Sequence, residues 1–511
     1  MNKFLLLLGI CSVLFLSCQG QTTTQNKTSK SKKYKTKGVY PAPEINTPYG
    51  WLNTDKSWTI EDFKGKIVLL DFWTFGCINC QHVIPDLRKL EEEFAKELVV
   101  IGVHSAKFFS ERSNKNIRKA ILKFGIEHPV VNDAKFKVWQ SYGVNAWPTV
   151  VLIDPEGRVM GQASGEGFYE AIRGYIKRIV QERGNAINRK PLKFQLEKDQ
   201  EYLAGKQTFL RFPSKMIQAA DGTLYISDSG HNRILHINNQ GKVLEQIGEG
   251  KQGAKDGSFK MATFYEPHGL ALKGDFLYVA DTKNNRIRKV DLKNKTVKTI
   301  AGNGKLDYYF GEERWNEAVN PNSPWDLWID GTQMYIANAG NHQILTMNLQ
   351  TEEVRRFAGS GREALTDGNY RQSAFNQPSG LVKNGNTLYI ADSEASAIRA
   401  IDLSKKQVTT PLGKGLFEFG DVDGGADKAR LQHAVGLTFR NNKIYIADTY
   451  NGKIKIFDLQ NKRLKTFVSG LNEPNDVLFM GNTLWVSDTN NHQLLKIDLK
   501  TLKKNVIKVG K

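Results

Sequence analysis

The sequence predicts two folded units in series, an α/β domain followed by an all-β propeller of six blades. Apolar strand-like runs alternate with helix-like patterns over residues 44–183, and a strand motif recurs six times over residues 206–511. A chain of 511 residues also exceeds what one hydrophobic core usually supports. Its 40% apolar and 10% aromatic content is typical of a folded, globular protein.

The first unit begins with a nearly continuous apolar run over 66–74, which predicts a buried parallel strand. Behind it, Val83, Leu87 and Leu90 recur at helical spacing, with Pro85 inside the helix. Further strands are predicted at 97–105, 129–133, 148–154 and 158–164, and helices at 111–124, 134–143 and 167–183. This alternation, closed by a hairpin, predicts an α/β sheet.

Cys77 and Cys80 lie two residues apart, between the first strand and the first helix. Closing so small a loop stabilises a fold by only about 2 kcal/mol, so we interpret the pair as a redox centre. The amides and the dipole of a helix N-terminus are expected to stabilise a thiolate at Cys77. Three alternatives stay open: an inert disulfide, a zinc site that adds His82, and a peroxidase site that uses Thr74, three residues before Cys77.

The second unit contains six segments that align with one another, each ending in an acid or Asn. They are TLYISD (223–228), FLYVAD (276–281), QMYIAN (333–338), TLYIAD (387–392), KIYIAD (443–448) and TLWVSD (483–488). Further strands follow each segment, so each unit has four short strands, which predicts a β-propeller. Extra loops, such as 249–267 and 302–324, are expected to gather on one face as an aromatic rim.

The tyrosines and acids that recur in the segments are interpreted as structural, because they serve every blade alike. Positions that break the repeat are better site candidates. Asp326 and Asp476 stand where other blades have glycine, and His268 is adjacent to one of those glycines. These three residues are weak candidates for a metal or ligand site at the propeller axis, and ordinary solvation of the axis is the alternative.

The N-terminus predicts export. Residues 1–17 have the pattern of a signal peptide, and the last three precede Cys18 in a sequence similar to a bacterial lipoprotein cleavage box. We expect Cys18 to be lipidated and residues 18–43 to form a basic tether near an anionic membrane, although ordinary signal cleavage is the alternative. The expected location is the cell envelope, facing the periplasm or another extracytoplasmic space, where disulfide chemistry proceeds. Export disfavours nucleic-acid binding, despite the net charge of +19.

The strand order and the cysteine pair of residues 44–183 resemble the thioredoxin superfamily, and the insertion between 105 and 132 is similar to its peroxiredoxin and cytochrome-maturation branches. Asp71-Phe72-Trp73 and Trp147-Pro148-Thr149 carry the resemblance, the latter matching the family's cis-proline loop. It implies that Cys77 is the nucleophile, that Cys80 resolves the mixed disulfide and that Asp71 is a buried proton acceptor.

The same resemblance implies substrate-binding positions at Trp147, Pro148 and Thr74, and a reversible Cys77–Cys80 disulfide with no required cofactor. The repeats resemble NHL repeats. Both halves together, from about residue 40 onward and separated by a linker over 184–205, resemble the NHL repeat-containing protein 2 family. The stretches 72–87, 102–108, 128–134 and 226–234 carry that likeness. Gly76 departs from it, since family members often have a further cysteine there.

The leading prediction is therefore a membrane-tethered thiol–disulfide oxidoreductase with a thioredoxin-like fold followed by a six-bladed NHL propeller. Its expected partners are client thiols or disulfides, an envelope redox partner and the membrane, with the propeller rim binding an unidentified protein or small ligand. One alternative is a non-catalytic interaction module built on the propeller. Another is a metal-dependent propeller hydrolase or lyase.

Overall fold

A computed structural model describes residues 35–203, 208–309 and 315–510. The predicted signal peptide, residues 1–17, and the lipidation position Cys18 lie outside these ranges. Within them, no helix is both long and apolar enough to span a membrane.

The first domain is a seven-stranded sheet in the order β1-β7-β6-β3-β4-β5-β2. Its strands are β1 (Tyr40–Pro41), β2 (Trp51–Leu52), β3 (Ile67–Trp73), β4 (Leu98–His104), β5 (Val130–Asn132), β6 (Thr149–Ile153) and β7 (Arg158–Ser164). Its helices are α1 (Ile78–Glu93), α2 (Asn114–Phe124), α3 (Lys137–Ser141) and α4 (Tyr169–Arg183). Strands β3, β4 and β5 are parallel, and β6 runs antiparallel to β3.

Both faces of this sheet are covered, which explains the continuous apolar run of β3. On one face Leu69 packs in a cluster with Leu87 of α1 and Ile176 of α4. On the other face Leu70 packs with Val138 of α3. A strand buried on both faces loses the alternation of apolar and polar side chains that a half-exposed strand shows.

Two predicted boundaries are wrong. The tether does not extend to residue 43, because β1 pairs with β7 and the Gly38 amide donates to Asp154 at 2.7 Å. The segment 184–205 is not a free linker over its described part. Phe194 packs edge-on against Trp58, and the segment ends in a helix, α5 (Glu197–Leu203). Apolar side chains in an irregular segment show no helical or strand periodicity, so the sequence does not predict that this segment packs against the first domain.

The second domain has six antiparallel sheets, one for each predicted blade. Blades one to three contain β8 (Pro213–Gln218), β9 (Leu224–Asp228), β10 (Arg233–Ile237) and β11 (Val243–Ile247); β12 (Gly257–Ser258), β13 (Pro267–Lys273), β14 (Phe276–Asp281), β15 (Arg286–Asp291) and β16 (Thr296–Ala301); and β17 (Pro324–Asp330), β18 (Gln333–Asn338), β19 (Gln343–Asn348) and β20 (Val354–Ala358). Blades four to six contain β21 (Gly368–Asn369), β22 (Pro378–Asn384), β23 (Thr387–Asp392), β24 (Ala397–Asp402) and β25 (Gln407–Leu412); β26 (Gly424–Gly425), β27 (Leu437–Arg440), β28 (Lys443–Asp448), β29 (Lys453–Asp458) and β30 (Arg463–Val468); and β31 (Pro474–Met480), β32 (Thr483–Asp488), β33 (Gln493–Asp498) and β34 (Lys504–Ile507).

The extra loops do not simply form a rim. In blades two, four and five, part of each preceding connection forms a short strand, β12, β21 or β26, that pairs with the outermost strand of the blade. In blade two this connection is pinned by Asp256, whose carboxylate accepts from Arg288 at 2.8 Å. These insertions therefore extend three of the blade sheets by one strand, in addition to forming loops.

The acid or Asn that ends each segment has a structural role, as the repeat predicts. Asp392, at the end of β23, accepts the backbone amide of Asn376 at 2.7 Å and so fixes the loop that leads into β22. The equivalent contact joins Asp281 to the Tyr265 amide at 2.8 Å. The ring of blades closes where the Thr489 hydroxyl donates to the Pro213 carbonyl at 2.7 Å.

Candidate functional site

The cysteine pair lies at the N-terminus of α1, as the sequence predicts. Cys77 is the N-cap residue, and its sulfur accepts the Cys80 amide at 3.3 Å. Both residues are free thiols and both are buried, with 5% of Cys77 and 1% of Cys80 exposed. A protein disulfide therefore has no direct access to Cys77 in this arrangement.

The cover over the cysteines is one face of the propeller. In five blades the residue directly before the inner strand adopts a positive φ, and in blade five the equivalent residue, His433, lies four positions before β27. The φ values lie between 44° and 64° at these six positions, Phe212, Glu266, Ser323, Gln377, His433 and Glu473. Non-glycine residues adopt this conformation rarely, so it marks a turn imposed by the surrounding structure. We call these six residues the facing ring, because several of them contact the first domain.

The facing ring contacts the redox turn itself. The Ile78 amide, first in α1, donates to Oε1 of Gln377 at 2.9 Å. The Gly76 carbonyl lies 3.3 Å from Nε2 of His433. Tyr450 stacks on His433 with ring centroids 4.2 Å apart, and its ring also lies edge-on to Phe75. The first amides of a helix have no partner within it, so the propeller supplies a missing acceptor beside Cys77.

Ionic and polar contacts extend the interface on either side of the cysteines. Lys107 of the first domain pairs with Glu394 of the propeller at 3.0 Å, and both side chains are at least 95% buried. His82 bridges Glu166 and Ser323, each at 2.7 Å. Removing one partner of a buried ion pair leaves the other charge uncompensated, so a substitution at Lys107 or Glu394 alone should weaken the docked arrangement.

Burial changes the acidity of both thiols. The pKa of Cys77 is raised, mainly by desolvation, with the negative charge of Glu394 adding to it. The pKa of Cys80 is raised further by burial, by its hydrogen bond with Cys77 and, to a smaller extent, by Asp71. The expectation of a stabilised thiolate at Cys77 therefore does not hold in the docked arrangement, because desolvation outweighs the helix N-terminus.

Asp71 is where the sequence places it, on β3 beneath the cysteines. Burial raises the pKa of its carboxyl to about 7, against a smaller lowering by His128. Its Oδ1 accepts no hydrogen bond. A carboxyl that titrates near neutrality, close enough to Cys80 to raise that thiol's pKa, is suited to accept a proton from it.

Thr74, a predicted substrate-binding residue, has its hydroxyl engaged within the first domain. It is fully buried, and its hydroxyl donates to Glu111 at 2.5 Å. Glu111 also accepts the amides of Gly76 and Phe108, both at 2.8 Å, and burial raises its pKa to about 7. Sequence reasoning missed Glu111, because nothing in its local pattern separates it from a surface acid at the start of a helical segment.

The predicted cis-proline loop is present. The Trp147–Pro148 peptide bond is cis, and the Trp147 indole donates to the Ser105 carbonyl at 3.0 Å. Trp147 is half-buried beside the cluster that contains Cys77 and Cys80. Trp147 therefore packs beside the redox turn, and Pro148 follows it in the chain through the cis peptide bond.

The axial acids do not form the predicted metal site. Nζ of Lys215 lies 2.7 Å from Asp326 and 3.4 Å from Asp476, so an ammonium group occupies the space between the carboxylates. His268 instead pairs with Ser214 at 2.7 Å. Within the described ranges, no group of three or more His, Cys, Asp or Glu side chains is placed to hold a metal ion. The sequence analysis did not identify Lys215 as an axial residue. It lies two residues after Pro213, just as Asp326 lies two residues after Pro324.

A small interdomain cavity of about 40 Å³ adjoins the redox turn at Gly76. Its walls combine apolar groups with polar side chains of the propeller, among them Gln377, His433 and Glu473. A space of this size holds about one to three water molecules. The docked site thus admits solvent but no macromolecule.

The fold and the site define a thioredoxin-like domain joined to a six-bladed propeller that covers its Cys-x-x-Cys turn. Residues 65–159 match the profile of a thioredoxin-like family, and residues 264–290 match that of the NHL repeat. NHL repeat-containing protein 2 of Gallus gallus is 37% identical over 516 residues, covering 90% of this chain and 70% of that protein. The chain belongs to the NHL repeat-containing protein 2 family.

Two further relatives are informative. Protein SUPPRESSOR OF QUENCHING 1, chloroplastic, of Arabidopsis thaliana is 38% identical over 530 residues, covering 96% of this chain, which spans 50% of that protein's length. Thiol-disulfide oxidoreductase ResA of Bacillus anthracis is 31% identical over 121 residues, covering 24% of this chain and 68% of that protein. The first domain is therefore a thioredoxin-like domain homologous to thiol–disulfide oxidoreductases, which confirms the predicted fold and family.

The raised pKa of Asp71 predicts how stability depends on pH. The folded carboxyl has a pKa of about 7 against 3.8 for the ordinary group, so folding becomes less favourable as the pH rises between these values. We expect Asp71→Asn to be more stable than the wild type at pH 8, by roughly 4 kcal/mol at most, and the difference to shrink toward pH 4. Chemical unfolding of the first domain across this pH range measures it. The exposed control Asp55→Asn should show no such trend, and an unchanged pH dependence in Asp71→Asn would contradict the assignment.

The ion pair between the domains predicts how Cys77 becomes exposed. Lys107→Glu places a carboxylate against Glu394, and the repulsion should weaken docking. We expect the alkylation of Cys77 by iodoacetamide to accelerate by about tenfold or more, which mass spectrometry of the labelled peptide measures. Lys115→Glu makes the same charge change at an exposed position of α2 and should leave the rate unchanged. Equal rates in the two variants would show that the propeller does not protect Cys77.

Proposed function

We propose that the chain is a thiol–disulfide oxidoreductase in which Cys77 attacks, Cys80 resolves, and the propeller controls access to both. The observation that carries this proposal is the grouping at one turn of two thiols, the Asp71 carboxyl and the Trp147–Pro148 loop. The homology of the first domain to thiol–disulfide oxidoreductases supports it.

The proposed reaction transfers two electrons from the cysteines to a client disulfide. The Cys77 thiolate attacks one client sulfur, the client S–S bond breaks, and the other client sulfur leaves as a thiolate that takes up a proton. Cys80 then gives its proton to the Asp71 carboxylate and attacks the Cys77 sulfur. The S–S bond between Cys77 and the client breaks, and the second client sulfur leaves as a thiolate that takes up a proton. The client is then reduced and Cys77–Cys80 is a disulfide. A dithiol reductant of the same compartment restores the cysteines, and the whole sequence reverses for an oxidising partner.

A macromolecular client requires the two domains to separate, because only 5% of Cys77 is exposed in the docked arrangement. Separation would release the Ile78 amide from Gln377 and remove Glu394 from the neighbourhood of Cys77. Both changes favour the thiolate, the first by freeing a helix N-terminal donor and the second by removing a negative charge. In this proposal the docked state is resting and the open state is reactive.

The same burial favours a second candidate function, a non-catalytic interaction module. If the domains do not separate, Cys77 and Cys80 serve as small buried side chains of the interface, and the propeller makes the contacts with partners. The two candidates differ in one property, which is whether Cys77 forms a mixed disulfide with a client.

Location in the cell envelope, with attachment to a membrane through a lipid on Cys18, is part of the proposal. The leader sequence and the lysines that follow Cys18 support it. Metabolic labelling with radioactive palmitate should mark the wild type, and the label should be lost in Cys18→Ser. An unlabelled wild-type protein would exclude acylation at that position.

The chemistry is tested by removing the resolving thiol. Cys80→Ser should accumulate mixed disulfides through Cys77, because the intermediate can no longer be released, and it should lose insulin reduction. Non-reducing electrophoresis with mass spectrometry identifies the trapped species. Cys77→Ser is the matched control and should trap nothing. Absence of trapped partners in Cys80→Ser, together with a Cys77 that stays unreactive at pH 8, would favour the interaction module.

A further inference from the structure

Three buried polar atoms near Gly102 of β4 have no hydrogen-bond partner among the described residues. They are Oδ1 of Asp71, Nε1 of Trp73 and Nε2 of His128. Asp71 lies opposite Gly102 in the register of β3 and β4, and Trp73, two residues further along β3, points to the same face of the sheet. A Cβ atom at residue 102 would lie 2.9 Å from Nε1 of Trp73 and 3.5 Å from Nε2 of His128. The glycine therefore keeps open a small polar space beside the proton acceptor.

The other ring nitrogen of His128 leads from this space toward solvent. Nδ1 of His128 lies 3.1 Å from Oε1 of Glu91 on α1. Only 4% of the His128 side chain is exposed, whereas 26% of the Glu91 side chain is exposed. The imidazole thus connects a buried space to a carboxylate at the surface. Because an imidazole can take up a proton at one nitrogen and release one from the other, this pair is suited to carry protons.

The charges around His128 couple it to Asp71. Burial lowers the pKa of the imidazole, but Glu91 and Asp71 together raise it by more, against a smaller lowering by Arg88, so the pKa lies above its ordinary value. Burial raises the pKa of Asp71 to about 7, and the positive charge of His128 limits that rise. Each group therefore favours the charged form of the other, so loss of a proton from Asp71 favours its gain at His128.

We propose that His128 and Glu91 form an exit path for the proton that Asp71 takes from Cys80. A water molecule in the open space bridges Oδ1 of Asp71 and Nε2 of His128, since buried polar atoms of this kind are usually satisfied by protein or by ordered water. Asp71 passes its proton through this water to Nε2, and His128 releases the Nδ1 proton to Glu91 and from there to solvent. The Asp71 carboxylate is then restored. The path rests on the proposed reaction of Cys80, in which His128 and Glu91 are positioning residues that act through Asp71.

The rate of the resolving step tests the path. In the full-length protein, dithiobis(nitrobenzoate) forms a mixed disulfide with Cys77, and attack by Cys80 then releases a second, coloured thionitrobenzoate. We expect His128→Phe to slow this second release by about tenfold or more at pH 7, and much less at pH 9, where hydroxide can take the proton directly. Glu91→Gln, at a partly exposed position, should show the same trend to a smaller degree. Glu92→Gln makes the same change at the exposed neighbouring position and should behave like the wild type.

A second measurement separates this inference from the proposed function. Infrared titration of the Asp71 carboxyl band, identified by its loss in Asp71→Asn, reports the pKa of that group whether or not the cysteines react. Because the positive charge of His128 lowers this pKa, His128→Phe should raise it by about one pKa unit or more. A wild type that releases no second thionitrobenzoate would refute the proposed reaction and the path with it. In a wild type that does react, an unchanged pH profile of release in His128→Phe, or an unchanged pKa of Asp71, would overturn the exit path alone.

Discussion

The hydrogen bond from the Ile78 amide to Gln377 joins the chemistry of the first domain to the architecture of the second. The free amides of a helix N-terminus are what lower the pKa of a cysteine in such a turn. Here the first of those amides is engaged by the propeller, and the surface that brings Gln377 into place also buries Cys77. The pKa of the thiol is therefore raised rather than lowered, and the docked arrangement disfavours the reactive thiolate.

The position of Gln377 follows from the repeat itself. Asp392, the acid that ends the second strand of its blade, accepts the amide of Asn376, the residue just before Gln377. The equivalent acid, or Asn338 in blade three, accepts the equivalent loop amide in every blade. A structural contact that recurs six times therefore precedes a facing ring whose six residues differ from blade to blade. The repeated contacts hold the loops in place, and the non-repeating side chains Gln377 and His433 contact the redox turn.

The elements of each domain were predictable because their signals are local. The strand Arg158–Ser164 has its predicted bounds, and the helix after Cys77 follows from apolar spacing at Val83, Leu87 and Leu90. The docked interface was not predictable, because Gln377 and Glu394 lie some three hundred residues from the groups they contact. The sequence does contain one sign of the facing ring, because the residue type at this repeat position differs between blades. Such variation does not by itself predict an interface, since loop residues also vary where they have no function. Lys215 shows the converse case. Its offset from Pro213 matches the offset of Asp326 from Pro324, yet only the structure shows that its ammonium group lies between the two axial carboxylates.

Hydrogen exchange at the Ile78 amide tests the coupling between the domains most directly. The first amide of a helix has no partner within it and ordinarily exchanges fast. If Gln377 holds it as described, Ile78 should be protected in the full-length protein about as strongly as Leu87 in the middle of the helix, and Gln377→Ala should remove the protection at Ile78 while leaving it at Leu87. Fast exchange at Ile78 in the wild type, with Leu87 protected, would show that the propeller does not cap this helix and would contradict the account.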